Sequence, residues 1–185
     1  MSVRFAIADT CFIIDWARFR YRDLMFKLFN IVYVSESVLK EIKSERTVEW
    51  VASALASGNM SIYTETSEEL EEARKLTEES RKLRSLIPVD LPEALCLVIG
   101  RRRGYVVLTE NRGAIMAVDF ITPYKDVVVW RALEILTAAV IEGMFKVSCN
   151  ELNTLFKAYE EDTRHFFPRR DLTNALELIK GRICG

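Results

Sequence analysis

A single histidine, His165, serves the whole chain, and the four cysteines, Cys11, Cys96, Cys149 and Cys184, stand far apart with no C-x-x-C pair. That scarcity speaks against a structural zinc site, which needs clustered sulfur and imidazole ligands. It speaks equally against Ser-His-Asp and Cys-His catalysis and excludes a nuclease mechanism that needs two histidines. An excess of one charge is lacking too: 26 lysines and arginines face 27 acids, so no global field draws the chain to nucleic acid or membrane. Any polyanion site must then be a local basic patch. No apolar run approaches the roughly 20 uncharged residues of a membrane span. Arg4 and Asp9 interrupt the first apolar stretch, which does not read as a signal peptide. The expectation is a cytoplasmic protein without a membrane segment, its thiols free and buried unless the host is a hyperthermophile.

What the chain has in quantity is apolar residues, half of its 185 positions, ample for one core. Val3 to Ala8 reads as a buried parallel strand, because Phe5, Ile7 and the small Ala6 and Ala8 pack on both faces. Asp9-Thr10 follows at once. A carboxylate at the carboxyl end of such a strand borders the crevice where α/β sheets bind ligands. It can equally cap the helix that starts near Cys11. Ile31 to Val34 reads as a second buried strand, with Ser35 capping a helix whose inner stripe is Val38, Leu39 and Ile42. Glu41 lies beside that stripe, as a solvated side chain or as a ligand. Met60 to Tyr63 is a third strand, and Thr66-Ser67-Glu68-Glu69 a capping box that opens a charged helix.

The most informative stretch runs from Asp90 to Asn111. Asp90-Leu91-Pro92-Glu93 opens a helix, and Asp90 with Glu93 in a D-x-x-E cap accounts for Glu93 structurally. The basic turn Arg101-Arg102-Arg103-Gly104 leads to Tyr105-Val106-Val107-Leu108, which ends in Thr109-Glu110-Asn111 and so repeats the pattern of Asp9. Phe120 to Thr122 is expected as the last strand, Asp126 to Ile141 as one long helix, with Ser148 and Asp171 capping two more. Strands alternating with helices indicate an α/β fold with a mainly parallel sheet and right-handed crossovers. Asp9, Glu41, Glu93, Glu110 and Asn111 all fall on connections that can meet at one edge of it. Clustered carboxylates repel unless a cation neutralises them, and hard oxygen ligands suit Mg2+ or Mn2+. A metal so held can activate water and stabilise the leaving oxygen of a phosphodiester.

In the order and spacing of Ile7-Ala8-Asp9-Thr10, Val38-Leu39-Lys40-Glu41-Ile42, Leu91-Pro92-Glu93-Ala94 and Leu108-Thr109-Glu110-Asn111, the sequence resembles the PIN-domain nucleases over Val3 to Thr122. The helical end from Val129-Trp130 to Glu142-Gly143-Met144 is similar to that of a prokaryotic subgroup of nucleic-acid-binding PIN-like proteins. The resemblance implies a three-layer α/β/α domain over residues 1–124, with a helical extension over 125–185 packed on it. It implies an Mg2+- or Mn2+-dependent ribonuclease, the toxin of a toxin-antitoxin pair or an RNA-processing enzyme. Asp9 would be the main metal ligand, Glu41 and Glu93 further ligands, and Thr10 and Thr109 would orient carboxylates. Asn111 stands where the family carries Asp, with Glu110 as its substitute, so a PIN-like RNA-binding or scaffold protein with a decayed site is the alternative. A receiver-like phosphoacceptor fits poorly, because its lysine is missing where Thr109-Glu110-Asn111 stand. Expected partners are RNA, contacted through Arg112, Arg18 and Arg101, a protein antitoxin, and a second copy in a homodimer.

Overall fold

The computed structural model describes residues 4–184; Val3, with which the first strand was expected to open, lies outside them. Five parallel strands form one sheet: β1 (Phe5–Ala8), β2 (Ile31–Ser35), β3 (Met60–Tyr63), β4 (Val106–Leu108) and β5 (Val129–Trp130), in the order β3-β2-β1-β4-β5. Ala8 pairs with Val34 on one side and Leu108 on the other. Ala6, Ile7 and Ala8 are completely buried, as a central parallel strand requires. The α/β class with a parallel sheet between helical layers is therefore what the chain adopts.

Chain direction fixes the helices. From β1 to β3 the chain steps one way through α1 (Thr10–Arg18), α2 (Met25–Leu28), α3 (Glu36–Glu41) and α4 (Glu45–Ala56). It then returns through α5 (Ser67–Lys82) and α6 (Leu91–Arg103) to the far side of β1, and continues through α7 (Arg112–Phe120) to β5. Right-handed crossovers in opposite directions cover opposite faces. So α1 packs on α4, while α6 packs on β1, α5 and α7. Residues Glu93 to Gly100 of α6 are all buried, the mark of a helix enclosed on every side. Ser35 caps α3 through Val38 N–H, and Thr66 with Glu69 forms the expected capping box of α5.

Three helices, α8 (Ala132–Ile141), α9 (Thr154–Thr163) and α10 (Arg169–Ile183), complete the chain. Tyr159 of α9 sits among Trp16, Phe19 and Phe167, with ring centroids 5.7, 5.2 and 5.3 Å away. That aromatic cluster seals the end of the chain onto α1. None of the described helices is long and apolar enough to cross a membrane.

Five local expectations are corrected. Phe120 to Thr122 is no strand: Phe120 ends α7, Ile121 N–H bonds Ala117 O at 2.8 Å, and Pro123 sits in a single 3-10 turn. The strand lies instead at Val129-Trp130, inside what reads as a long helix. A β-branched run flanked by helix is ambiguous by periodicity alone. Ser148 bonds Glu151, but α9 begins only at Thr154, and Asp171 lies inside the first turn of α10 rather than before it. Finally, Cys149 and Cys184 form a disulfide that ties the α8–α9 loop to the end of α10; Cys96 is buried and free, Cys11 exposed and free.

Candidate carboxylate site at the sheet switch point

The connections leave β1 and β4 in opposite directions, so the gap between their carboxyl ends is the topological switch point, where open α/β sheets bind ligands. Asp9 and Thr109 are the first residues beyond the two strands. Asp9 N–H bonds Leu108 O at 3.0 Å and Thr109 N–H bonds Trp130 O at 3.1 Å, so both continue the ladder. Asp9 is 0% exposed. Its Oδ1 accepts from Phe12 N–H at 2.7 Å, capping α1, and its Oδ2 accepts from the Thr109 hydroxyl. The capping role is thus real and uses one oxygen only.

The other residues gather through hydroxyls and amides. Thr10 Oγ1 donates to Glu41 Oε2 at 2.6 Å, bringing the exposed end of α3 to the start of α1. Asn111 Nδ2 donates to Glu93 Oε1 at 3.3 Å, and Asn111 N–H donates to Thr109 Oγ1 at 2.9 Å. Asn111 Oδ1 accepts from Ala114 N–H at 3.0 Å and caps α7. Asp90 makes no capping bond with its side chain, and Glu93 does not close the expected box. Glu93 is instead 8% exposed, and its Oε2 is buried without a hydrogen-bond partner. An orphaned carboxylate oxygen is costly unless something outside the protein completes it.

Electrostatics follow from that burial. Desolvation pushes the Asp9 carboxyl up from 3.8 to about 7, against the Thr109 and Phe12 hydrogen bonds, which pull it down; Glu93 and Glu110 add repulsion. Glu93 is also raised, first by burial and then by its acidic neighbours Asp90 and Glu41. Burial pushes the Cys11 thiol up to about 11, and the surrounding carboxylates add to it. Among the described residues no three His, Cys, Asp or Glu side chains are drawn close enough to enclose a metal by themselves. Thr109 and Asn111 stand between Asp9 and Glu93 and are joined to them by hydrogen bonds.

Glu110 takes no direct part in these contacts. Its Oε1 accepts from Ala132 N–H at 2.6 Å at the start of α8, and its Oε2 lies 3.4 Å from His165 Nε2. His165 Nδ1 lies 3.5 Å from Asp15 Oδ2. His165 therefore stands between two carboxylates beside the site, and its contact with Asp15 first of all raises it above the ordinary imidazole range. Nothing in the sequence links Asp15, Glu110 and His165; only the docking of the final helices does. Of the basic residues, Arg112 is exposed next to Asn111. Arg18 closes α1 and pairs with Asp15 at 3.7 Å, and Arg101 closes α6, one helix length from Glu93, where it pairs with Glu72. Neither of these two arginines is gathered with the acids.

Gly113 sets how closely α7 approaches. A Cβ there would stand 2.8 Å from Ile87 O, 2.9 Å from Pro88 O and 3.1 Å from Asn111 Oδ1. Two of the three are backbone atoms that cannot swing aside. Gly113→Ala is expected to cost about 1–3 kcal/mol, read as a lower urea midpoint at unchanged slope. A midpoint equal to or above that of the wild type would show that α7 shifts freely and does not hold Asn111 in place. Compared with protein-family models and with curated proteins, the chain matches none.

Proposed function

We propose that the chain is a metal-dependent ribonuclease of the PIN type, hydrolysing RNA phosphodiester bonds at the Asp9 site. One observation carries the reading: at the switch point an entirely buried Asp9, its carboxyl pushed up to about 7 by desolvation, shares its site with the partnerless Glu93 Oε2. Both are groups that a cation would satisfy, and neither is needed in that form by the fold. Asp9, Glu93 and Glu41 would hold the ion, Mg2+ or Mn2+. Bound there, such an ion supplies charge neutralisation, an acidified water and stabilisation of the leaving oxygen.

The chain's own groups do the positioning. Thr109 fixes Asp9, Thr10 fixes Glu41 and Asn111 fixes Glu93, each by a hydrogen bond to one carboxylate oxygen; the second oxygen of Asp9 caps α1, and that of Glu93 has no partner. An aspartate at position 111 could not donate to Glu93, so asparagine there lowers the repulsion and orients its neighbour. Arg112, free of ion pairs among the described residues, is placed to meet a phosphate. A cytoplasmic location, a protein antitoxin and a homodimer belong to the same reading.

A decayed, RNA-binding scaffold is the second reading, favoured by the neutral Asn111 and by Glu110 turning to α8. Calorimetric titration with manganese, paired with cleavage of single-stranded RNA, decides between them. Saturable binding lost in Asp9→Asn, with cleavage stopped by chelator, is the expected result. RNA retention with neither metal binding nor cleavage would leave the scaffold reading in its place.

A further inference from the structure

A second site lies away from the carboxylates. Between the segment that follows α1 and the side of α4 that carries Trp50 and Ser53 is an open cleft of about 720 Å³. Its rim carries Arg22, Lys27 and Arg46, none of which forms an ion pair among the described residues. Other arginines are matched with acids, as Arg20 is with Asp162 and Arg131 with Asp171. Arg22 and Arg46 are instead held by backbone carbonyls, Ala17 O at 2.8 Å and Arg18 O at 3.1 Å, which fix their direction without neutralising them. Two guanidinium groups and an ammonium at one cleft favour a phosphate.

The floor is aromatic. The Phe26 and Trp50 rings lie 5.9 Å apart, and the Arg22 guanidinium covers the indole at 5.8 Å. Trp50 is only 5% exposed, yet its Nε1–H is buried without an acceptor. A buried indole N–H normally has a partner. Asp23 and Glu49 also line the cleft and offer acceptors for hydroxyl groups. Cations, an aromatic surface, an unsatisfied donor and carboxylates together match phosphate, base and ribose, and the volume suits one nucleotide.

We propose that this cleft binds a ribonucleotide: Arg22, Lys27 and Arg46 take the phosphate, Phe26 lies against the base, Trp50 Nε1 donates to a ligand oxygen, and Asp23 and Glu49 accept from the ribose. The cleft shares no residue with the Asp9 site, and binding there needs neither metal nor cleavage. It therefore stands or falls apart from the nuclease reading.

The test is calorimetric titration in EDTA with AMP, dAMP and a short single-stranded oligoadenylate. Wild type and Asp9→Asn are expected to bind alike, with AMP preferred over dAMP. The exposed pair Lys27→Glu and Arg46→Glu is expected to weaken binding about tenfold or more. Ser53→Tyr fills the cleft without changing charge and is expected to do the same, which separates a site from diffuse attraction. Saturable AMP binding identifies a free nucleotide as a ligand; binding of the oligoadenylate alone identifies a residue of an RNA strand. No saturable binding of either by the wild type would overturn the proposal, as would binding untouched by both sets of substitutions in proteins whose melting curves show them folded.

Discussion

Asp9→Asn is expected to abolish RNA cleavage and, without divalent metal at pH 8, to melt at a higher temperature than the wild type. The two effects have one cause. In the unfolded chain an aspartate ionises near 4, whereas burial holds the folded Asp9 carboxyl at about 7. Below pH 4 both states carry the proton and the full stability is present. As pH rises through 7 the unfolded chain has already ionised, the folded carboxyl must follow in a dry site, and stability is lost. The difference amounts to about 4 kcal/mol at most. Asparagine keeps the oxygen that caps α1 and cannot ionise, but it gives up the hydrogen bond accepted from Thr109, worth about 1 kcal/mol. A net gain of at most about 3 kcal/mol, or about 6–12 °C, is the expected outcome at pH 8, shrinking towards pH 4. Manganese should reverse the order by stabilising only the wild type, by about 2.7 kcal/mol at one hundred times its dissociation constant. Calorimetric scans across pH, with and without metal, read all of this. A variant that melts lower at pH 8 without metal would mean that Asp9 is fully satisfied by its two hydrogen bonds. A variant that cleaves normally would remove Asp9 from the chemistry altogether.

Reduction of the Cys149–Cys184 bridge, or its replacement by serines, is the other change with a large expected effect. The bridge spans 35 residues of sequence, and closing a loop of that size in the unfolded chain is worth about 3–4 kcal/mol. For a chain of this length the melting temperature should fall by about 8–15 °C. The loss should be felt first in α9 and α10. Arg131 and Asp171, 2.8 Å apart, join α10 to the start of α8, and His165 joins the α9–α10 turn to Glu110 and Asp15. Trp16 packs against Tyr159 and gives a fluorescence signal of that loosening. A melting curve that does not move on reduction would show that side-chain packing alone holds the last helices.

How much of this could be read beforehand follows the range of the interactions. The strands around Ile7, Val32, Ile62 and Val107 announce themselves because apolar or β-branched residues with abrupt polar ends are local signals. The caps at Ser35 and Thr66 are local as well, since a hydroxyl bonds an amide three residues on. The meeting of Asp9 with Thr109, and of Glu93 with Asn111, follows from strand order, which alternation of strand and helix already suggests. What could not be read is set by docking. Glu110 looks like a fourth ligand beside Asn111, but it turns to the α8 amide that the last helices bring within reach. Arg101 and Arg18 look like a basic surface and instead sit at the ends of helices facing acids. The strand at Val129 is hidden because it is two residues long and gains its place only by pairing with Val107 and Leu108 of β4.

The hydrogen bond between Asp9 and Thr109 joins residues one hundred positions apart. Contacts of such separation form late, after nearer ones have closed the intervening chain. On the ribosome, Asp9 emerges well before its neighbour strand β4, which lies about one hundred residues further along the chain. The acids at the ends of β1, α3 and α6 are thus scattered along a growing polypeptide and come together only when the return crossover lays β4 beside β1. Any chemistry that needs these acids side by side is therefore closed to the chain until β4 has been added.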